Sequence, residues 1–141
     1  MRVVDSFSEQ DTYLLGKELG EKALPGTIFC LEGDLGCGKT VLAKGMAKGL
    51  NIDDDILSPT FTIIREYGGR LPFYHFDIYR LEEEEELFEI GFDEYLSLGG
   101  VVLIEWANQI PEAMPKSAIW IRVEKDLSKG VNYRRIEIGN R

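Results

Sequence analysis

Histidine is almost missing from this sequence of 141 residues: there is one, His75. A metal site built on paired histidines is therefore excluded. Cysteine is scarce too. Cys30 and Cys37 form neither a CxxC pair nor any metal-ligand spacing, and they predict no disulfide framework. No apolar run approaches the ~20 residues of a membrane span. The opening stretch MRVVDSFSEQD lacks the apolar centre of a signal peptide and soon turns acidic. These absences together predict a cytosolic protein.

Positive charge is also short. The formal net charge is −9, and it is unevenly spread. Residues 1–115 hold 9 basic and 22 acidic side chains, whereas residues 116–141 hold 7 basic and 3 acidic. An acidic body argues against broad electrostatic binding to nucleic acid. The basic end fits either a local contact with nucleotide, RNA or an acidic partner, or a solvated strand pair.

What is present predicts one domain over residues 1–141, with enough chain to bury roughly 68–70% of its unfolded surface. No internal repeat or low-complexity linker interrupts it. VVDSF reads as a strand. Ser8 offers an N-cap, with Asp11 three residues on, for a helix ended by Pro25-Gly26. In that helix Leu15, Leu19 and Ala23 lie near one face. TIFCLEG is a strand, and a second helix runs from about Lys39 to Leu50. FTIIREY and LPFYHFDIY read as a hairpin about Gly68-Gly69. EEEEELFEIG is helical, FDEYL is a short further turn, and GVVLIEW has the pattern of a strand buried on both faces. Pro111 and Pro115 break the next segment, and AIWIRVEK and YRRIEIG close the chain as strands. The mixture predicts an α/β domain. Its central sheet is mixed, parallel and antiparallel, and is flanked by helices.

Residues 33–40, GDLGCGKT, match G-x-x-x-x-G-K-[ST] in full. An apolar strand precedes them and a helical pattern follows, which is the setting the motif needs. Gly33, Gly36 and Gly38 let the backbone turn and approach a polyphosphate. The N–H groups at the start of the helix form an anion cradle. Lys39 supplies a point charge for the β- and γ-phosphates, and the Thr40 hydroxyl a ligand for Mg²⁺. Cys37 reads as a small loop residue whose thiol beside phosphate would be sensitive to oxidation.

Hydrolysis needs more: a second acid for the metal and a group to position water. Glu105, closing VVLIE, and Asp77, in YHFDIY, are the candidates. On a strand His75, Asp77 and Tyr79 share one face, so both acids could reach one crevice. FYHFDIYR itself allows a metal site, a catalytic pair or a strand whose polar residues cap its end. His75, with no second histidine, fits a hydrogen bond at the strand's polar end. In SPTF (58–61), Ser58 and Thr60 present hydroxyls that either sense a γ-phosphate or belong to an ordinary turn. The Glu82–Glu86 run reads as a solvated helix start or a docking surface for a basic partner.

GDLGCGKT, SPTF, HFDIYRL and LIEW, in this order, resemble the TsaE family, also called YjeE, across nearly the whole chain. The resemblance implies a small bacterial P-loop ATPase, a three-layer α/β domain of the P-loop NTPase kind, using ATP and Mg²⁺. The family is required for threonylcarbamoyl modification of adenosine 37 in tRNAs that read ANN codons. It implies partners TsaB and TsaD, with TsaC making the activated donor, and tRNA reached indirectly through that complex. By the same resemblance Gly36, Gly38, Lys39, Thr40 and Val41 hold the nucleotide phosphates, and Leu35 and Cys37 are cofactor-binding positions of the same loop. Thr40 and Glu105 ligate Mg²⁺, and Asp77 lies near the metal and the attacking water. Lys39, Asp77 and Glu105 form the catalytic set. Thr60 contacts the γ-phosphate, Trp106 lies near the nucleotide, and Thr12 and Arg135 are further nucleotide contacts. Cys37 departs from the alanine expected in the loop.

Rival readings remain at this point. A small-molecule kinase is permitted by the loop, although no arginine-rich lid segment follows. A GTP switch lacks its N-K-x-D guanine reader. A module that binds nucleotide without hydrolysing it is the non-enzyme alternative.

Overall fold

The computed structural model describes residues 1–34, 36–56 and 63–140. Seven strands form one sheet: β1 (Arg2–Ser6), β2 (Ile28–Glu32), β3 (Ile64–Tyr67), β4 (Phe73–Asp77), β5 (Val101–Glu105), β6 (Ile119–Lys125) and β7 (Arg134–Gly139). Their order is β1-β7-β6-β2-β5-β4-β3. β6, β2, β5 and β4 run parallel at the centre, and β3, β7 and β1 add on antiparallel. The expected mixed sheet is therefore what forms.

Helices α1 (Glu9–Lys22) and α2 (Lys39–Gly49) cover one face. The short helices α3 (Glu84–Glu89) and α4 (Phe92–Leu96) cover the other. Strand alternation explains the two cores. Phe73, Leu103, Ile121 and Ile136 point to the α1–α2 layer, where Leu42, Met46 and Leu50 meet them. Tyr74, Phe76 and Ile104 point to the α3–α4 layer, among Leu87, Phe92 and Ile110. β5 is buried along its whole length, as its unbroken apolar run requires.

Several boundaries differ from the sequence reading. α1 ends at Lys22, three residues before Pro25, where Ala23 turns extended, and Arg70 reaches in from the hairpin and donates to the carbonyls of Gly20 and Ala23. β3 starts at Ile64, after Ile63 turns to a φ of 66°. The acidic run is helical only from Glu84. Glu83 and Glu86 instead cap that helix reciprocally, side chain to backbone. At the start of α1 Ser8 does accept from the Asp11 N–H, but Asp11 returns its bond to Phe7 rather than to Ser8.

The face of α1 that meets α2 is lined with glycine, not only with leucine. A Cβ on Gly16 would lie 2.3 Å from the Leu42 carbonyl oxygen, and one on Gly20 2.2 Å from that of Met46. From α2, a Cβ on Gly45 would lie 2.0 Å from the Tyr13 carbonyl oxygen. The two backbones touch, and this contact brings the start of α1 beside the start of α2.

Candidate nucleotide site

The site lies where the parallel strands end and α2 begins. After β2 the chain turns through Gly36 (φ 74°) and Gly38 (φ 104°), both in the left-handed region that glycine enters without strain. α2 then opens on Gly38 with no side chain capping its first turn. Its N–H groups and the positive end of its dipole are left for an anion. Val41 follows on the same turn, and Thr40, which is exposed, stands next to Lys39.

Lys39 is only 6% exposed. Its Nζ donates to the Gly33 carbonyl at 2.8 Å and lies 3.4 Å from the centroid of the Trp106 ring. Burial pushes this ammonium below the ordinary lysine range, and Cys37, Glu105, Asp77 and Asp34 pull it partly back. The same burial raises the Cys37 thiol, against the pull of Lys39. Cys37 is thus a protonated, packed residue rather than a reactive thiolate.

Asp77 and Glu105 end neighbouring parallel strands and stand opposite each other in register. Both are buried, at 7% and 5% exposure. Alternation puts both on the α2 side of the sheet, with His75. The Asp77 carboxylate accepts from the Tyr79 N–H at 3.0 Å, and Glu105 Oε2 lies 2.6 Å from His75 Nε2. Trp106 follows Glu105 with φ 63°, a conformation uncommon for a bulky residue. Its ring contacts both Lys39 and Tyr79, whose ring centroid is 4.7 Å away.

Thr12 is buried at the opposite wall, its hydroxyl bonded to that of Ser6 at 2.7 Å. With Ser8, Gly36, Gly38, Val41 and Arg134 it lines a cleft of about 80 Å³ beside the loop. A larger cleft of about 520 Å³ opens on the other side of the loop, between Asp34, Trp106, Asn108 and Lys125. The structure thus gathers Thr12, Gly36, Cys37, Gly38, Lys39, Thr40, Val41, Asp77, Glu105 and Trp106 about one loop. Leu35 and Thr60, with the rest of SPTF, lie outside the described residues.

Arg135 does not join them. It is exposed on the other face of β7 and paired with Glu137. Arg134, one residue earlier, turns toward the loop and donates through Nε to the Cys37 carbonyl at 2.8 Å. Lys125, its register partner on β6, reaches the same loop: a Cβ on Gly36 would lie 3.7 Å from its Nζ. Neither was legible as a site residue. A basic hairpin was, but which of two adjacent arginines faces inward depends on register alone.

Among the described residues no group of three or more His, Cys, Asp or Glu side chains could hold a metal ion by itself. Two carboxylates and a hydroxyl suit a magnesium ion, which takes its remaining ligands from phosphate oxygens and water. The donor set of Asp77, Glu105 and Thr40 fits that group.

A family model described as "Threonylcarbamoyl adenosine biosynthesis protein TsaE" matches residues 6–136. The chain belongs to the TsaE family. A Bacillus subtilis (strain 168) relative, named tRNA threonylcarbamoyladenosine biosynthesis protein TsaE, is 44% identical over 136 residues, which is 94% of this chain and 83% of the relative. A Treponema pallidum relative of the same name is 42% identical over 86% of this chain and 89% of its own. The crystal structure of YdiB from Bacillus subtilis superposes with a TM-score of 0.84 at 36% identity, covering 99% of this chain and 84% of that one. The family resemblance and the α/β fold are borne out. Membership places the chain in tRNA threonylcarbamoyladenosine biosynthesis. No helix among the described residues is long and apolar enough to cross a membrane.

Proposed function

We propose that the protein is an Mg²⁺-dependent ATPase that drives or resets a TsaB–TsaD assembly during threonylcarbamoyl modification of adenosine 37 in tRNAs reading ANN codons. It meets tRNA through that assembly and works in the cytoplasm. The observation that carries the reading is Lys39, at the uncapped start of α2, sharing one buried crevice with Asp77 and Glu105.

In this reading the polyphosphate of ATP lies along Gly36–Val41. The free N–H groups of α2 bind its oxygens, and Lys39 gives up its bond to Gly33 to meet the charge on the β- and γ-phosphates. Arg134 braces the loop through the Cys37 carbonyl. Thr40, Glu105 and Asp77 are the residues that would hold magnesium, which when bound spreads the charge of the leaving phosphates. Asp77 orients the attacking water. Water adds to the γ-phosphorus as the bond to the β-phosphate oxygen breaks, giving ADP and phosphate. Trp106 and Tyr79 close the apolar side of the crevice, which strengthens each electrostatic contact within it.

ATP hydrolysis measured with and without purified TsaB and TsaD tests this. Turnover is expected to be slow alone and to rise with the partners, and Lys39→Ala or Glu105→Ala to abolish the rise. Turnover unchanged by the partners overturns the coupling, and full activity in both variants overturns the site.

A further inference from the structure

We propose that His75 is a positioning residue: it holds the Glu105 carboxylate in the orientation in which it meets a cation. The proposal rests on the magnesium reading above and names what sets the ligand's geometry.

β4 and β5 are adjacent and parallel, so His75, opposite Leu103, lies on the same side of the sheet as Glu105. Its Nε2 stands 2.6 Å from Glu105 Oε2, with side-chain exposures of 2% and 7%. The ring stacks on Phe73 at 5.9 Å between centroids with 22° between planes. It therefore has a fixed plane and a fixed direction. With Glu105 as the carboxylate a cation requires, it has no proton to give, so the N–H sits on Nε2 and donates. That bond engages Oε2 and restrains rotation of the carboxylate. The carboxylate's other lone pairs, chiefly those of Oε1, are left for a metal.

A merely structural account fits less well. The position lies inside a fully buried strand, with Phe73 stacked on the ring and Leu103 opposite in register, where an apolar side chain would pack but would leave the buried Glu105 carboxylate without this bond. Instead the imidazole brings a second nitrogen, Nδ1, which is buried and has no hydrogen-bond partner among the described residues. Buried polar atoms of that kind are rare and costly, and call for a compensating role. Orienting a ligating carboxylate is such a role. Outer partners of metal ligands commonly set affinity by 10–100-fold.

The test uses ADP and Mg²⁺ with the full chain. Magnesium is titrated into the ADP complex and the half-saturating concentration is read by calorimetry, beside ADP affinity in chelator. Glutamine places an amide near Nε2, whereas asparagine places it near Nδ1, out of reach of Glu105. His75→Gln is expected to stay within about 3-fold of wild type, and His75→Asn to need roughly 10–100-fold more Mg²⁺, both with unchanged affinity for metal-free ADP. Because His75 is the only histidine, its imidazole nitrogens can also be read by NMR in the wild-type protein. Nε2 is expected to carry the proton, and both resonances to move when Mg²⁺ joins the ADP complex. Equal Mg²⁺ midpoints for wild type and His75→Asn, or a proton on Nδ1 alone, overturn this assignment while leaving the magnesium reading intact. A wild-type protein whose ADP affinity ignores Mg²⁺ overturns both.

Discussion

The Lys39 ammonium rests on the face of Trp106, 3.4 Å from the ring centroid. The contact depends on a strained residue, since Trp106 holds φ 63° directly after β5. Strain of that size costs about 1–3 kcal/mol and persists only where the surroundings impose it. Here Tyr79 and Lys39 both pack against the ring.

This contact supplies an optical probe. Phosphate binding draws Lys39 off the indole, so Trp106 emission should change when ATP binds. The chain has two tryptophans, Trp106 and Trp120. The Trp120→Phe variant should keep the full fluorescence response to ATP, and Trp106→Phe should lose it. A response that survives only in Trp106→Phe would mean Lys39 stays where it is.

Lys39 also sets stability against function. Its folded value lies below the ordinary one because burial disfavours the charge. The unfolded chain therefore holds the proton more tightly. Stability from this group is lowest at pH below the folded value and recovers as pH rises through it toward the ordinary lysine range. At pH 7 Lys39→Met removes the buried charge. Because the buried charge is the disfavoured form, the ligand-free protein should melt at a higher temperature, while nucleotide binding is lost. Thermal melts and calorimetry on one preparation check both halves.

Much of this site could be read in advance, and what could not shares one cause. The phosphate loop is a local pattern, so its glycines and Lys39 were legible. Asp77 and Glu105 were legible as acids ending apolar strands. The bond from His75 to Glu105 was not, because it requires β4 and β5 to be neighbours, and they are separated in sequence by two helices. The exchange of Arg135 for Arg134 turns on one step of strand alternation. The left-handed turn at Trp106 carries no local signal, since nothing in LIEW demands it. The glycines of α1 and α2 ordinarily count against a helix, and their use appears only when both helices are seen together.

The two arginines of β7 should therefore separate cleanly. Arg134 donates to the loop carbonyl of Cys37, whereas Arg135 pairs with Glu137 on the other face. Arg134→Ala should weaken ATP binding about 10-fold, the loss of one charge-assisted hydrogen bond holding the cradle. Arg135→Ala should stay within about 2-fold, as exposed ion pairs contribute little. Calorimetric titration with ATP distinguishes the pair, and the reverse order would restore Arg135 to the site.

The facing carboxylates predict opposite effects on binding and on turnover. Asp77 and Glu105 put two buried acids beside a site for a polyanion. Without magnesium they repel phosphate, so Asp77→Asn and Glu105→Gln should each bind metal-free ADP as tightly as wild type or a few-fold more tightly. Hydrolysis with magnesium and partners should fall at least about 100-fold in both. Equal losses in the two assays would show that the substitutions disturb the loop itself.

The α1–α2 contact gives the last test, one of stability rather than chemistry. A Cβ on Gly45 would lie 2.0 Å from the Tyr13 carbonyl oxygen, backbone against backbone, with no flexible side chain to yield. Alanine there must push the helices apart, although alanine is the better helix former by about 1 kcal/mol. Overpacking typically costs 1–3 kcal/mol and should exceed that gain. Gly68, in the hairpin turn, has nothing within 4 Å of its Cβ position. Urea denaturation should show Gly45→Ala destabilised by roughly 2 kcal/mol and Gly68→Ala nearly neutral. Because the same contact seats Thr12 beside Gly38, Gly45→Ala should also weaken ATP binding, and an undisturbed affinity would show that the cradle stands without α1.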